Sequence, residues 1–331
     1  MRDKSVDVLA IGNAIVDVIA DADDDFLAVQ GLAKGSMRLI DEAEADRLYE
    51  AMGPGRELSG GSAGNTAAGL AALGCRAAFI GQVASDELGD IYRHDIESMG
   101  IDFLVPSRGD VGATARSLIL VTPDAQRTMN TFLGAAQKLN RSAIDPAAIA
   151  AAKILYLEGY LWDPEEPREA MKAAIDVARS AGTKVAFTLS DGFVVERHRA
   201  DFERLIDEGK IDILFANEQE FLHLARATDL KPAIAQFAAK VPTLVVTRSE
   251  QGALACSGEE HADVPAEPIE RLVDTTGAGD LFAAGFLAGQ ARGRSLEDSL
   301  RLGAIAASEV IQHYGARPEL DLAALAGPVL N

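Results

Sequence analysis

Positive charge is scarce in this chain. Lysine and arginine number 31 against 51 aspartates and glutamates, a formal net charge of -20 over 331 residues. So acidic a surface repels phosphate backbones and anionic lipid, which argues against general nucleic-acid or membrane-surface binding. A local positive pocket for a small anion remains compatible with it. Cysteine is scarcer still: Cys75 and Cys256 stand far apart with no metal-ligand spacing, so reduced cytoplasmic thiols are the simplest reading. Long apolar runs are missing too. None reaches the roughly 18 residues of a membrane span, and the first apolar stretch is broken by Asn13 and Asp17, which does not suit a signal peptide. There is no Walker A loop. The one Gly-Lys pair, Gly209-Lys210, has Arg204 in place of the first glycine and Ile211 in place of Ser or Thr. No G-x-G-x-x-G follows the first strand, and no repeat, low-complexity tract or interdomain linker stands out.

What is present is an ordinary globular balance, 48% hydrophobic and 25% charged, long enough for one large α/β domain or a core with a smaller appendage. Residues 6–20, rich in Val and Ile, read as a strand, with the acidic run 21–25 as its turn and 36–40 as a partner strand. Asp41 reads as the N-cap of a helix with Glu44 in its first turns. Residues 65–73 suit a tightly packed helix stopped by Gly74, and 77–82 a short strand. Residues 116–122 and 127–133 flank Pro123-Asp124-Ala125-Gln126, a hairpin signal. Beyond residue 153 strands at 154–157, 185–189, 211–215 and 244–247 alternate with helices such as 168–180, and helices at 278–291 and 296–312 close the chain. Such alternation predicts a mainly parallel sheet covered by helices on both faces, with the early β pieces meeting as a small projecting sheet.

The strongest chemical signal is Asp274-Thr-Thr-Gly-Ala-Gly-Asp280 at the start of an apolar helix. Gly277, Ala278 and Gly279 let backbone amides converge at the positive end of a helix, an anion site. Asp280, in the first turn, has two readings: a base that accepts a proton from an attacking hydroxyl, or a complement to the helix dipole. The second signal is Gly60-Gly61-Ser62-Ala63-Gly64-Asn65-Thr66. Paired glycines permit close approach of a ligand, and Asn65 offers a donor and an acceptor to a polyol; a flexible turn with a helix cap is the plain alternative. Asp17, among Val and Ile, is either a buried carboxylate needing partners or a strand residue facing solvent.

A glycine pair followed by asparagine, a late D-T-x-G-A-G-D, and Asn217-Glu218-Gln219-Glu220 between them resemble the signatures of the PfkB/ribokinase family of carbohydrate and nucleoside kinases, in order and across essentially the whole chain. The resemblance implies an α/β fold: a ribokinase-like three-layer αβα core around a mainly parallel sheet, about 1–14, 41–100 and 135–331, and a small β-sheet lid, about 15–40 and 101–134. It implies transfer of the γ-phosphoryl group of ATP to a primary hydroxyl. Asp280 would be the base and Gly277, Ala278 and Gly279 the anion hole. Asp17, Asn13, Gly60, Gly61 and Asn65 would hold the acceptor. Asn217, Thr247, Gly252, Gly277 and Gly279 would meet ATP, although Ser249 stands where many members have glycine. Glu220, with Asn217, would organise the water shell of Mg²⁺, and Asp274 and Thr276 match positions that ligate a monovalent cation, so K⁺ is an expected ligand there.

The 12–17 opening, Arg127-Thr128-Met129-Asn130-Thr131-Phe132-Leu133-Gly134-Ala135 and Thr188-Leu189-Ser190-Asp191-Gly192-Phe193 resemble bacterial adenosine-kinase-like members. A purine needs a flat apolar slot, for which Phe132, Leu133, Tyr160 and Trp162 are candidates, each equally readable as packing. Adenosine is the expected acceptor, a furanose-like sugar the alternative, and a non-catalytic nucleoside- or sugar-binding relative the distant one. Monomer and homodimer are both compatible with exposed strand edges.

Overall fold

The computed structural model describes residues 4–124 and 126–330. The chain passes back and forth between two sheets. β1 (Val6–Ile11) belongs to the larger; β2 (Ile15–Asp21), β3 (Met37–Leu39) and β4 (Arg56–Gly60) belong to the smaller. β5 (Ala77–Ile80) and β6 (Asp102–Phe103) return to the larger, and β7 (Ala115–Val121) and β8 (Arg127–Phe132) to the smaller. β9 (Ala152–Glu158), β10 (Lys184–Thr188), β11 (Ile213–Asn217), β12 (Thr243–Thr247), β13 (Ala253–Ser257) and β14 (Glu260–Val264) complete the larger. Its strand order is β14-β13-β12-β11-β10-β9-β1-β5-β6, parallel except where β13 and β14 turn back. The smaller sheet runs β3-β8-β7-β2-β4.

The larger sheet is apolar on both faces, as a sheet between helical layers must be. Val8 and Ala10 of β1 join the core beneath the helices Ser62–Ala72, Ala278–Ala291 and Leu296–Val310. The alternate residues Leu9 and Ile11 join the opposite core, with Leu155, Phe187 and Leu214, against the helices Glu165–Ala181 and Gly192–Asp207. Burying one such side chain contributes about 1.5–3 kcal/mol, so this alternation sets the register of the whole layer. The helix Ala278–Ala291 is buried from Leu281 to Gly289, which explains its lack of charge beyond Asp280.

Three expectations are corrected. Residues 6–20 form two strands, because Gly12, Asn13 and Ala14 leave the ladder and Asn13 bonds Glu158 with both its nitrogens. The acidic run 21–25 is more than a turn: Asp23 accepts from the Phe26 amide and caps the helix Asp24–Val29. The expected core stretch 41–100 contributes β4 to the smaller sheet, where it pairs antiparallel with β2. Conversely β6, within the expected lid stretch 101–134, pairs with β5 in the larger sheet. The Asp41 cap on Glu44 and the antiparallel pairing of β7 with β8 are as expected; Ala125 of their turn lies outside the described residues. No helix among the described residues is long and apolar enough to cross a membrane.

Candidate active site

Where the two sheets meet, a cavity of about 530 Å³ opens. Its walls include Asn13 from the first crossing between sheets and Asp17 from β2, Gly61 and Asn65 from the second crossing, and Gly277, Gly279 and Asp280 from the start of the buried helix. Residues separated by more than 200 positions in sequence therefore face one space.

The glycine pair is explained by close approach. Gly61 has φ +84, and a β-carbon there would lie 2.1 Å from the Asn13 carbonyl oxygen. Gly60 sits behind it, 2.5 Å from Asp17 Oδ2 by the same measure, and does not line the cavity. This turn delivers the helix Ser62–Ala72 onto Asp280. Ser62 Oγ donates to Asp280 Oδ1 at 2.6 Å, and Asn65 Nδ2 donates to Oδ2 at 2.9 Å. One of the two Asn65 amide hydrogens is thus spent on the carboxylate, leaving the other and the side-chain carbonyl oxygen for a ligand. Burial pushes the Asp280 carboxyl up, while Ser62, Asn65 and the Arg317 charge pull it down. Burial pushes Asp17 up to about 6, against the charges of Arg317 and Arg127.

The anion-hole turn is built on the left-handed Gly277, φ +80, whose missing β-carbon would meet Ala316. Gly277 and Gly279 line the cavity. Ala278 does not, and its amide donates to the Thr275 carbonyl at 3.2 Å, so of the three expected cradle residues only the two glycines face the cavity.

Asn217, Glu220 and Thr247 line the same cavity from the ends of β11 and β12. Asn217 and Glu220 form a capping box: Asn217 accepts from the Glu220 amide at 2.8 Å, and Glu220 accepts from the Asn217 amide at 3.0 Å. Burial pushes the Glu220 carboxyl up to about 7, eased by the Asn217 amide and raised further by Asp191, with no basic group acting on it. An acid so placed fits a hydrated divalent cation, which would favour its ionised form. Among the described residues no three His, Cys, Asp or Glu side chains cluster to hold a metal directly. Gly252 lies off the cavity; at φ +82 it packs against the Val264 carbonyl and turns β12 into β13. Ser249 adopts φ +52, a left-handed conformation that favours glycine.

Asp274 is committed elsewhere. Its Oδ1 accepts from the Thr276 amide and hydroxyl, and its Oδ2 from the Gly315 amide and the Arg127 guanidinium, with both ionised side chains under 10% exposed. A guanidinium thus holds the charge-balancing place beside this carboxylate, and the arrangement does not fit K⁺ at Asp274. Thr276 lines the cavity, and Arg127 keeps Nε and Nη2 buried without partners among the described residues.

Of the candidate purine-slot residues, Leu133 and Tyr160 line the cavity. Trp162 does not: it is fully buried between Phe187 and Phe202, with Nε1 donating to Asp201 at 3.2 Å. Phe132 packs into the core under the Arg116 guanidinium. Phe193 stands in their place, its ring 6.1 Å from that of Tyr160.

Three residues escaped the sequence reading. Glu158, fully buried at the end of β9, accepts from the Asn13 amide and side chain and from the Ala63 amide at 2.7 Å, tying both crossings together. Burial pushes it up to about 7 against these bonds. Its only signal was a lone acid closing an apolar run. Arg127 entered only as the first residue of the 127–135 stretch, with no role of its own, and Arg317 carried no signal beyond charge.

A family model, pfkB family carbohydrate kinase, matches residues 7–322. Adenosine kinase from Sinorhizobium meliloti is 48% identical in sequence, with a TM-score of 0.89 covering 98% of this chain and 99% of that one. A probable sugar kinase from Rhizobium etli CFN 42 is 47% identical, with a TM-score of 0.90 and 98% of both chains covered. Cytidine kinase from Thermococcus kodakarensis is 30% identical over 286 residues, 84% of this chain and 96% of that protein. With both signature turns meeting in one cavity between a large and a small sheet, the chain belongs to the pfkB family of carbohydrate kinases and is an ATP-dependent phosphotransferase acting on a hydroxyl group.

Proposed function

We propose that this kinase transfers the γ-phosphoryl group of ATP to the 5′-hydroxyl of adenosine, giving AMP and ADP. The observation that carries the reading is a pair of carboxylates, Asp17 and Asp280, in a cavity that also has an aromatic wall of Tyr160 and Phe193. Carboxylates suit sugar hydroxyls, and paired rings suit a nucleobase better than a free sugar. The likeness to the Sinorhizobium meliloti adenosine kinase supports the same acceptor.

In this reading Asp17 accepts hydrogen bonds from the ribose hydroxyls, with Asn13, Gly61 and the Asn65 carbonyl completing the set. Asp280, oriented by Ser62 and Asn65, takes the proton from the attacking oxygen. The amides of Gly277 and Gly279 receive the negative charge of the moving phosphoryl group, and Arg127 steadies the same turn through Asp274 and Thr276. Glu220 and Asn217 would hold Mg²⁺ through water, and the ion when bound with ATP neutralises charge on its phosphates. Closure of the smaller sheet over the cavity excludes water and limits ATP hydrolysis.

The probable sugar kinase from Rhizobium etli, equally similar, favours a second reading in which a free furanose sugar is the acceptor. ADP release measured against adenosine, inosine, ribose and fructose with Mg²⁺ separates the two. Selective turnover of adenosine with AMP as product is expected; preference for a free sugar overturns the acceptor and keeps the mechanism, and silence with every acceptor overturns the kinase chemistry at this site.

A further inference from the structure

The segment Gly315-Ala316-Arg317, between the helices Leu296–Val310 and Leu322–Leu330, belongs to neither signature, yet it touches both. Gly315 donates its amide to Asp274 Oδ2 at 3.0 Å. Ala316 lies against Gly277, where an added β-carbon would come within 2.5 Å of its methyl group. Arg317 reaches the other turn: Nη1 donates to the Gly64 carbonyl at 2.9 Å, and Nη2 to the Ser59 carbonyl and, at 3.0 Å, to its hydroxyl.

Ser59 lies in the last part of β4, in the smaller sheet, and Gly64 in the first turn of the core helix Ser62–Ala72. Between them run Gly60, Gly61, Ser62 and Ala63. One planar guanidinium therefore spans the point where the chain leaves the smaller sheet for the core, a geometry that a lysine ammonium cannot copy. The far side of Ser59 is held by Asp95, which accepts from its amide at 2.8 Å and its hydroxyl at 2.5 Å. Tyr92 donates to the Gly60 carbonyl at 3.3 Å.

We infer that Arg317 is a positioning residue: it locks the 59–64 turn to the anion-hole turn and so keeps Ser62 and Asn65 on Asp280 and Gly60 beside Asp17. The inference rests on the proposed role of Asp280 as base, and Arg317 acts through the turn, not on the reacting atoms. The charged and titratable groups that face Arg317 are Tyr92, Asp17, Asp95 and Asp280, and Arg127 and Glu158 face those carboxylates in turn. Its positive charge favours the ionised forms of Asp17 and Asp280.

Arg317→Lys keeps the charge and loses the span; Arg317→Gln loses both. Hydrogen exchange of the amides 59–66, followed by mass spectrometry on the full chain, needs no acceptor and is expected to quicken roughly tenfold or more in both variants, with β9 to β12 unchanged. With the acceptor that the wild type uses, kcat/KM for that acceptor is expected to fall about 10–100-fold in both, while KM for ATP stays within about twofold. The acid limb of its pH profile is expected to move up by about half a pH unit or more in Arg317→Gln and to hold in Arg317→Lys. Unchanged exchange at 59–66 overturns the inference. So does a lower melting temperature accompanied by wild-type kinetics at a temperature where both variants are folded. A wild type that turns over no acceptor refutes the role of Asp280, and the exchange result still decides whether Arg317 restrains the turn.

Discussion

Asn65 donates its side-chain amide to Oδ2 of Asp280 at 2.9 Å across 215 residues of sequence. With Ser62 on the other oxygen, the carboxylate is held in one orientation and stabilised as the anion a base must be. Asp280→Asn keeps the shape and removes the basicity. Turnover is expected to fall by about 10²–10⁴-fold with acceptor KM within about threefold, read from steady-state kinetics. Turnover near the wild-type value would remove Asp280 from the role of base.

Asn65→Asp replaces that donor by a like charge. Two carboxylates in hydrogen-bond contact cannot both ionise easily, so the Asp280 proton is held to higher pH. Activity is expected to drop more at pH 6 than at pH 9, with the acid limb of kcat displaced upward. A profile parallel to that of the wild type would show that Asn65 does not act through the ionisation of Asp280.

Glu158 couples the site to stability. Its folded carboxyl titrates near 7, above the ordinary glutamate value of 4.5 that applies when the chain is unfolded. The folded state therefore binds more protons between those values, and this group's contribution to stability is full below about 4.5 and is lost as the pH rises through 7. Melting temperatures of the ligand-free protein from pH 5 to 8 should fall more steeply for the wild type than for Glu158→Gln. Identical slopes would count against the shift.

At Gly61 both the left-handed φ and the 2.1 Å approach to the Asn13 carbonyl exclude a side chain. Gly61→Ala is expected to lose at least about 1–3 kcal/mol, measured by urea unfolding, with acceptor binding weakened as the turn shifts away from Asn13. Full stability would mean that the turn relaxes freely.

The pair Arg127 and Asp274 joins the smaller sheet to the anion-hole turn under nearly complete burial. Arg127→Met leaves a buried carboxylate uncompensated and is expected to cost about 3–5 kcal/mol. Adding Asp274→Asn should recover much of that loss, the signature of a direct coupling in a double-mutant cycle. Additive losses would place the two effects in separate interactions.

Much of this molecule was legible from residue order. The alternation beyond residue 153 and the two-faced apolar strands dictated a parallel sheet between helices, because only that arrangement buries both faces. The signature turns were legible because their glycines answer local backbone needs: Gly61 and Gly277 both take positive φ where a β-carbon would collide. Capping at Asp41 is likewise local chemistry.

The tertiary structure decided what depends on contacts between distant segments. Trp162 and Phe193 are both aromatic in sequence, yet one packs in the core and the other lines the cavity. Asp274 could equally have served a metal until Arg127 arrived from β8, 147 residues away. β4 went to the smaller sheet because its free partner edge was β2, reached by a crossing at Gly12-Asn13-Ala14 that propensity alone reads as continuous strand. Glu158 and Arg317 became structural only when folding withdrew them from water. A buried charge must find hydrogen-bond partners, and these two found the turns that carry the chemistry.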